Sequence, residues 1–247
     1  MIPTKRLYLD DAYIKEFRAE VQSVQKTNGY FGVILDQSAF YPLGGGQPSD
    51  TGTIKGARAE ATVREVRVEN ALVVHMVDQI EGSLQEGDEV TGTLDWNRRY
   101  ALMRNHTLAH LMAEAIRKAM GLPIEVVSSG LGVEKARLDL AHEGSLGPFV
   151  PEIEKTTNQI IKENLPVEIK TMPRNEAEEY VTRFHESLKT LPPFVKTVRI
   201  VEIKNWHACA CGGTHVKSTG EIVAAEILRR MSKGKGVERV EFEAKTS

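Results

Sequence analysis

Apolar residues between positions 1 and 95 fall in short β-rich runs. Tyr30–Leu35, Ala59–Val68, Ala71–Val77 and Glu89–Leu94 each read as strands, punctuated by Gly29, Gly52, Gly56, Gly82, Gly87 and Gly92. Several short strands with frequent turn signals predict a small barrel or sandwich. One stretch, Ala12–Ser23, reads as helical, and Gly82–Asp88 reads as a turn-rich linker. From Arg98 the period changes. Arg98–Met120 is a strong helix, opened by Asp95-Trp96-Asn97 and closed by Gly121 and Pro123. Strands follow at Glu125–Ser129 and Glu134–Leu140, then a loop at Gly144–Pro151. Helices are expected at Val150–Asn164 and Arg174–Ser187, with a strand at Pro166–Thr171 between them. Further strands are expected at Lys196–Ile203, Glu221–Met231 and Val237–Glu243. The expected class is α+β: a β-barrel domain over 1–95, then an α/β domain over 96–247 with an antiparallel sheet and helices on one side.

Composition narrows the class. The 247 residues are 41% hydrophobic, 27% charged and 6% aromatic, which excludes a disordered, collagenous or coiled-coil chain. Apolar runs as short as Ile222–Ala225 predict no membrane span. Charges in Met1–Asp11 stand where a signal peptide needs an apolar stretch, so a cytoplasmic protein is expected. The net charge of −2 is divided unevenly: 9 basic against 15 acidic residues before position 96, 23 against 19 after it. Lys217, Arg229, Arg230, Lys233, Lys235 and Arg239 make the end of the chain locally basic. Such a stretch suits either phosphate contacts or a solvated strand edge kept from aggregating by its charges.

Cys209 and Cys211 are the chain's two cysteines, a spacing poorly suited to a structural disulfide and better suited to chemistry or metal. His106-Thr107-Leu108-Ala109-His110 lies inside the strong helix. Four residues is slightly more than a turn, so both imidazoles share a face. At about 100° per residue, Leu108, Leu111, Met112, Ala115 and Ala119 gather roughly opposite, and small Ala109 and Ala113 flank the histidines. Either histidine alone would suit a core position. The second half, Cys211-Gly212-Gly213-Thr214-His215, places a thiol and an imidazole around two glycines that permit a sharp turn. Three imidazoles and one thiolate form a nitrogen-rich set that suits Zn²⁺ in tetrahedral geometry. His207 and Cys209 are close enough in sequence to compete as ligands. A catalytic site needs an open position. Substrate must then displace one ligand or expand the coordination, and His215 is the expected exchangeable member. Thr107 stands where a zincin carries its glutamate base, and neither a nucleophile elbow nor a P-loop occurs.

The other unusual segment runs from Phe40-Tyr41-Pro42-Leu43 through Gly44-Gly45-Gly46-Gln47-Pro48-Ser49-Asp50-Thr51-Gly52. Consecutive glycines allow close backbone approach, and Gln47, Asp50 and Ser38 offer polar groups. This is either a tight loop capping the barrel or one wall of the zinc pocket that recognises a small polar group.

Arg104-Asn105-His106-Thr107-Leu108-Ala109-His110, Cys209-Ala210-Cys211-Gly212-Gly213-Thr214-His215-Val216 and Thr219-Gly220-Glu221-Ile222 together resemble the editing domain shared by alanyl- and threonyl-tRNA synthetases. The glycine-rich segment resembles the extra domain of the alanyl lineage. Essentially the whole chain is similar to free-standing alanyl-tRNA editing proteins of the AlaX type, in their longer form. The resemblance implies a small β-barrel followed by an α/β editing domain. It also implies hydrolysis of the ester in tRNA(Ala) mischarged with serine, and with glycine as a second substrate. Zinc ligands at His106, His110, Cys211 and His215 follow from it. So does a pocket lined by Gln47 and Ser38, the latter at a position where relatives often carry threonine; Gly45, Gly46 and Asp50 join them as substrate-binding candidates on the loop's own chemistry. Two other readings stand beside it: a zinc-stabilised tRNA-binding module without catalysis, and a zinc hydrolase of small amides or peptides.

Overall fold

Glu16, Arg18 and Glu20 are exposed while Phe17, Ala19 and Val21 are buried, an alternation that defines a half-buried strand. In the computed structural model, which describes residues 1–27 and 29–245, this segment belongs to a strand. The first eight strands are β1 (Lys5–Arg6), β2 (Glu16–Thr27), β3 (Tyr30–Leu35), β4 (Gln37–Ser38), β5 (Gly52–Gly56), β6 (Ala59–Glu69), β7 (Leu72–Gly82) and β8 (Glu89–Leu94). Six of them close into a barrel in the order β2-β3-β7-β6-β5-β8, and β1 pairs β4 in parallel. The helix expected over Ala12–Ser23 is therefore corrected to strand. Ile14, Phe17 and Val21 fit helical spacing as well, but the burial alternates with period two. Gly82–Asp88 is no linker: it joins β7 to β8 inside the barrel, with Gly82 and Gly87 at positive φ. Phe17, Val21, Val33, Leu35, Phe40, Ile54, Val63 and Val77 fill the barrel.

The chain divides into two compact units, Met1–Tyr100 and Ala101–Ser247. Helix α1 (Trp96–Met120) begins in the first and supplies the central helix of the second. The second unit continues through β9 (Val126–Leu131), β10 (Ala136–Ala141), α2 (Val150–Glu163), β11 (Val167–Pro173), α3 (Arg174–Thr182), β12 (Thr197–Ile203), β13 (His207–Ala210), β14 (Ala225–Gly234) and β15 (Val237–Ala244). One antiparallel sheet runs β14-β15-β10-β9 and another β11-β12-β13. The single expected sheet is thus two. Ala177 and Val181 of α3 pack on Val198, Ile200 and Ala208 of the smaller sheet. α3 ends at Thr182, five residues earlier than expected; Thr219–Ile222 is a 3-10 turn, so the strand expected from Glu221 begins at Ala225. Asn105 ties α1 to the larger sheet: its amide donates to Gly132 O at 2.8 Å, and Ala244 N donates to its Oδ1 at 2.9 Å.

Inside the barrel, His75 Nδ1 donates to Val33 O at 2.9 Å, because a carbonyl only accepts. Its Nε2 therefore accepts from the Ser38 hydroxyl at 2.7 Å, and Ser38 Oγ accepts from Phe40 N at 3.1 Å. Burial lowers the His75 pKa to about 4, against a smaller upward push from the Val33 hydrogen bond. The unfolded chain takes up this proton near pH 6.5, the native one near pH 4. Stability contributed by neutral His75 is thus complete above pH 6.5 and drains away as pH falls toward 4, on the order of 3 kcal/mol in total. Urea midpoints measured between pH 7 and pH 4 should fall less steeply in His75→Gln than in the parent chain. Equal slopes would show that His75 does not bear this penalty.

Candidate metal centre

One turn of α1 separates His106 from His110, and both rings are buried, 6% and 8% exposed. The helix is buried on this face as well as on the face of Leu108, Leu111 and Met112, so the histidines look into the unit rather than out of it. Opposite them, β13 ends at Ala210, and the chain turns through Cys211-Gly212-Gly213 to reach His215. Arg199 on β12 fixes this turn, with Nη1 donating to Cys211 O at 2.6 Å and to Gly213 O at 3.2 Å.

The fold brings together His106, His110, Cys211 and His215, whose donor atoms all lie within 4.8 Å of one another. Cys211 Sγ is 3.5 Å from His106 Nε2 and 3.2 Å from His215 Nε2. Sulfur at 2.3 Å and nitrogen at 2.0–2.1 Å from one tetrahedral ion stand about 3.5 Å apart, so the spacing fits a shared cation. The His106 and His215 ring centres are 4.1 Å apart, and those of His110 and His215 4.7 Å.

Electrostatics favour the same use. Burial, aided by the charge of Arg199, lowers the His106 pKa to about 3. Burial and then the neighbouring imidazoles hold His110 and His215 well below their usual value. The rings are therefore neutral with lone pairs available. Burial raises the Cys211 thiol, partly countered by the Gly213 N–H at 3.4 Å from the sulfur and by Arg199. A bound dication would supply the charge that these buried groups lack and would displace the thiol proton.

Thr107, whose side chain sequence reasoning noted only as an absent glutamate, has an orienting part. It is fully buried, its Oγ1 lies 3.1 Å from His215 Nδ1, and it accepts from Val216 N at 3.3 Å. A ring anchored at one nitrogen presents the other in a fixed direction, the usual support for a metal-ligating histidine. His215 is therefore a poor candidate for the exchangeable ligand expected from sequence. Its signal was local after all: a hydroxyl one residue after the first histidine, on the same buried helix.

The remaining candidates lie in the barrel unit. Ser38 is bound to His75 as described. Gly44 and Gln47 exchange backbone hydrogen bonds at 3.2 and 3.0 Å, closing a tight turn with Gly45 and Gly46 at φ +58° and +79°. Positive φ at both central residues is what a type I′ turn demands, and glycine adopts it without strain. The glycines are exposed at the tip, while Gln47 is fully buried. Asp50 is also fully buried, with its carboxylate accepting from Arg99 and from Tyr41 N at 2.6 Å. In the basic stretch, Arg230 pairs with Glu238 and Arg239 with Asp139, both at 2.6 Å, while Arg229, Lys233 and Lys235 are exposed along the β14–β15 hairpin.

Comparison with known proteins places these features in context. Residues 8–98 match the family described as class II (A) tRNA synthetases, and residues 198–241 match the second additional domain of threonyl and alanyl tRNA synthetases. The alanyl-tRNA editing protein AlaX-M of Methanosarcina barkeri is 40% identical over 243 residues, spanning 97% of this chain and 98% of its own. AlaX-M of Methanosarcina acetivorans is 39% identical over 245 residues, again with 97% and 98% coverage. The alanine–tRNA ligase of Ignicoccus hospitalis is 40% identical over 246 residues, which are 99% of this chain but 26% of the ligase. No helix among the described residues is long and apolar enough to cross a membrane.

Proposed function

Since the chain belongs to the AlaX-M family of alanyl-tRNA editing proteins, we propose that it hydrolyses the ester of tRNA(Ala) mischarged with serine, with glycine as a second substrate. The observation that carries this reading is a donor set of three buried imidazoles and one half-buried thiol in a chain matched over 97% of its length by an editing protein. The need for such an activity is physical. A small synthetase pocket rejects an amino acid that merely adds a hydroxyl by only ~10²-fold, so a second site must sort by a different criterion.

We assign Zn²⁺ to His106, His110, Cys211 and His215 on the chemistry of the set. When bound, the ion supplies a fixed positive charge that attracts the lone pairs of the substrate's amino group or ester oxygen. The chain's own residues do the positioning. Thr107 fixes His215, and Arg199 holds the turn that carries Cys211. Thr107 is engaged with His215 and Val216 and takes the place where a metalloprotease has its base, so positioning and electrostatics are favoured over proton abstraction by that residue. For sorting we assign Gln47, whose amide can pair with a serine hydroxyl and loses that pairing against the methyl of alanine. Ser38, Gly45, Gly46 and Asp50 complete the proposed substrate-binding group. Of these, Ser38 and Asp50 act on their surroundings through the His75 and Arg99 contacts.

Incubation with seryl-, glycyl- and alanyl-tRNA(Ala), with and without a chelator, tests the reading. Serine should be released fastest, alanine slowest, and the chelator should suppress release. Raising salt should slow the reaction, because phosphate contacts by groups such as Arg229, Lys233 and Lys235 release counterions. Intact ester with every substrate would leave a zinc-stabilised tRNA-binding module, and cleavage of small amides without tRNA would indicate a general hydrolase. Gln47→Leu should narrow the preference for seryl- over alanyl-tRNA by ~5–150-fold, the worth of one buried hydrogen bond of about 1–3 kcal/mol. An unchanged ratio would remove Gln47 from the sorting step.

A further inference from the structure

β13 does more than deliver Cys211. Alternate residues of a strand share a face, so His207 and Cys209 follow one another along the side that meets His110, with Cys211 in the turn just beyond. Cys209 Sγ is 3.7 Å from His110 Nδ1 and 3.9 Å from its Nε2. The His110 and His207 ring centres are 5.2 Å apart. Ligand atoms of His110, His207 and Cys209 lie within 4.8 Å of one another, a grouping separate from the four-donor set except for His110.

We propose that His110, His207 and Cys209 form a second seat for a thiophilic divalent cation, beside the first and sharing His110 with it. His207 is the decisive member. It is 2% exposed, and its Nε2 lies 3.2 Å from Glu186 Oε1. Glu186 is itself held by Arg117 Nη2 at 2.6 Å, and Arg117 is pinned through Nε to Ile124 O at 3.0 Å. The carboxylate accepts a hydrogen bond from Nε2–H, which leaves Nδ1 as the atom with a lone pair. That Nδ1 is buried with no hydrogen-bond partner among the described residues. A buried polar atom left unpaired is costly, and a carboxylate behind a histidine is the usual support for a metal ligand. The 3.7 Å from Cys209 Sγ to His110 Nδ1 is close to the separation of about 3.5 Å that a tetrahedral ion imposes on a thiolate and an imidazole. Three protein donors leave one position for water or another ligand. Because one ring serves both seats, the seats compete, and an ion can pass from one to the other by exchanging partners around His110.

Cobalt(II) added to the full metal-free chain reads this directly. Parent chain and Cys209→Ser should each bind one equivalent with a thiolate-to-cobalt charge-transfer band. Cys211→Ser should keep one equivalent and a charge-transfer band, now from Cys209. That band should vanish in Cys211→Ser/Cys209→Ser and also in Cys211→Ser/His207→Gln. A Cys211→Ser chain without the band overturns the proposal. So does a band that survives the His207 change, since Cys209 would then merely replace Cys211 in the first set. Should the Cys211 variant fail to fold, alkylation of the chain with Cys211 intact decides. One equivalent of zinc should divide its protection against iodoacetamide between the two thiols, and His207→Gln should abolish the protection of Cys209 and deepen that of Cys211. Cys209 reactivity indifferent to zinc, or to His207→Gln, sinks the second seat.

Discussion

His106→Ala and Cys211→Ala are each expected to strip the cation from the four-donor set and to slow release of serine from seryl-tRNA(Ala) by ~10²–10³-fold, the usual cost of losing one preorganised electrostatic partner. Cys211 is the one donor of that set that carries a negative charge once its proton is displaced, and its sulfur sits 3.5 and 3.2 Å from two of the imidazoles. Without it, three neutral rings remain, with their pKa values depressed by burial. Such a set binds a dication by lone pairs alone. His106→Ala removes a ligand from the rigid helix instead and opens a small void beside Ala109. The two variants should therefore lose metal from this set in parallel and activity in parallel, with any ion that stays behind held by His110, His207 and Cys209. Full hydrolysis by a variant that holds no metal would refute a metal-based site. Thr107→Val supplies the graded case. It keeps all four donors and the side-chain shape but loses the hydroxyl that meets His215 Nδ1 and Val216 N. Metal affinity should fall ~10–100-fold, the range for supporting partners, with the fold retained. Equilibrium dialysis of the three variants against zinc in a Cys209→Ser background, beside single-turnover deacylation, orders them.

How much of this was legible before the structure depended on the range of the interaction. The two halves of the donor set are local patterns: four residues on a helix for His106 and His110, four residues around two glycines for Cys211 and His215. Local geometry dictates both, so the sequence carried them. The larger strands, β3, β6, β7, β8 and β12, were visible for the same reason, because their patterning is periodic and bounded by turns. β2 was misread because Ile14, Phe17 and Val21 satisfy the helical period while Phe17, Ala19 and Val21 satisfy the extended one, and only pairing with β3 and β8 selects the extended form. β13 is four residues long, too short to show a period, yet it aims His207 and Cys209 at His110. Arg199, Glu186 and Arg117 went unnoticed because the contacts that carry them to the site span 12 to 69 positions in sequence. Nothing near any of them in the chain announces a partner. The Ser38–His75 pair is likewise a contact across 37 positions, and it gives Ser38, expected to line the substrate pocket, a fully buried setting.

Removing either partner of the Arg99–Asp50 pair should cost the fold about 3–5 kcal/mol, the penalty of stranding a buried charge. Both side chains are fully buried. Arg99 Nε donates to both Asp50 oxygens at 3.0 Å, Nη1 to Ala12 O at 2.8 Å and Nη2 to Ala39 O at 2.6 Å. Asp50 in turn accepts from Tyr41 N at 2.6 Å, on the approach to the glycine turn. One guanidinium thus joins the first turn of α1 to three separate segments of the barrel unit. Asp50→Ala leaves the guanidinium charged with two carbonyls for company, while Arg99→Ala leaves a carboxylate with one N–H. Asp50→Asn keeps an acceptor but not the charge and should fall between parent and alanine. Because each single change strands what the other would remove, Arg99→Met/Asp50→Leu should be more stable than the sum of the single losses implies. Chemical denaturation of the four variants measures this. Single-variant losses under about 1 kcal/mol, within the range of an exposed ion pair, would show that water reaches the pair and that its burial does not hold in solution.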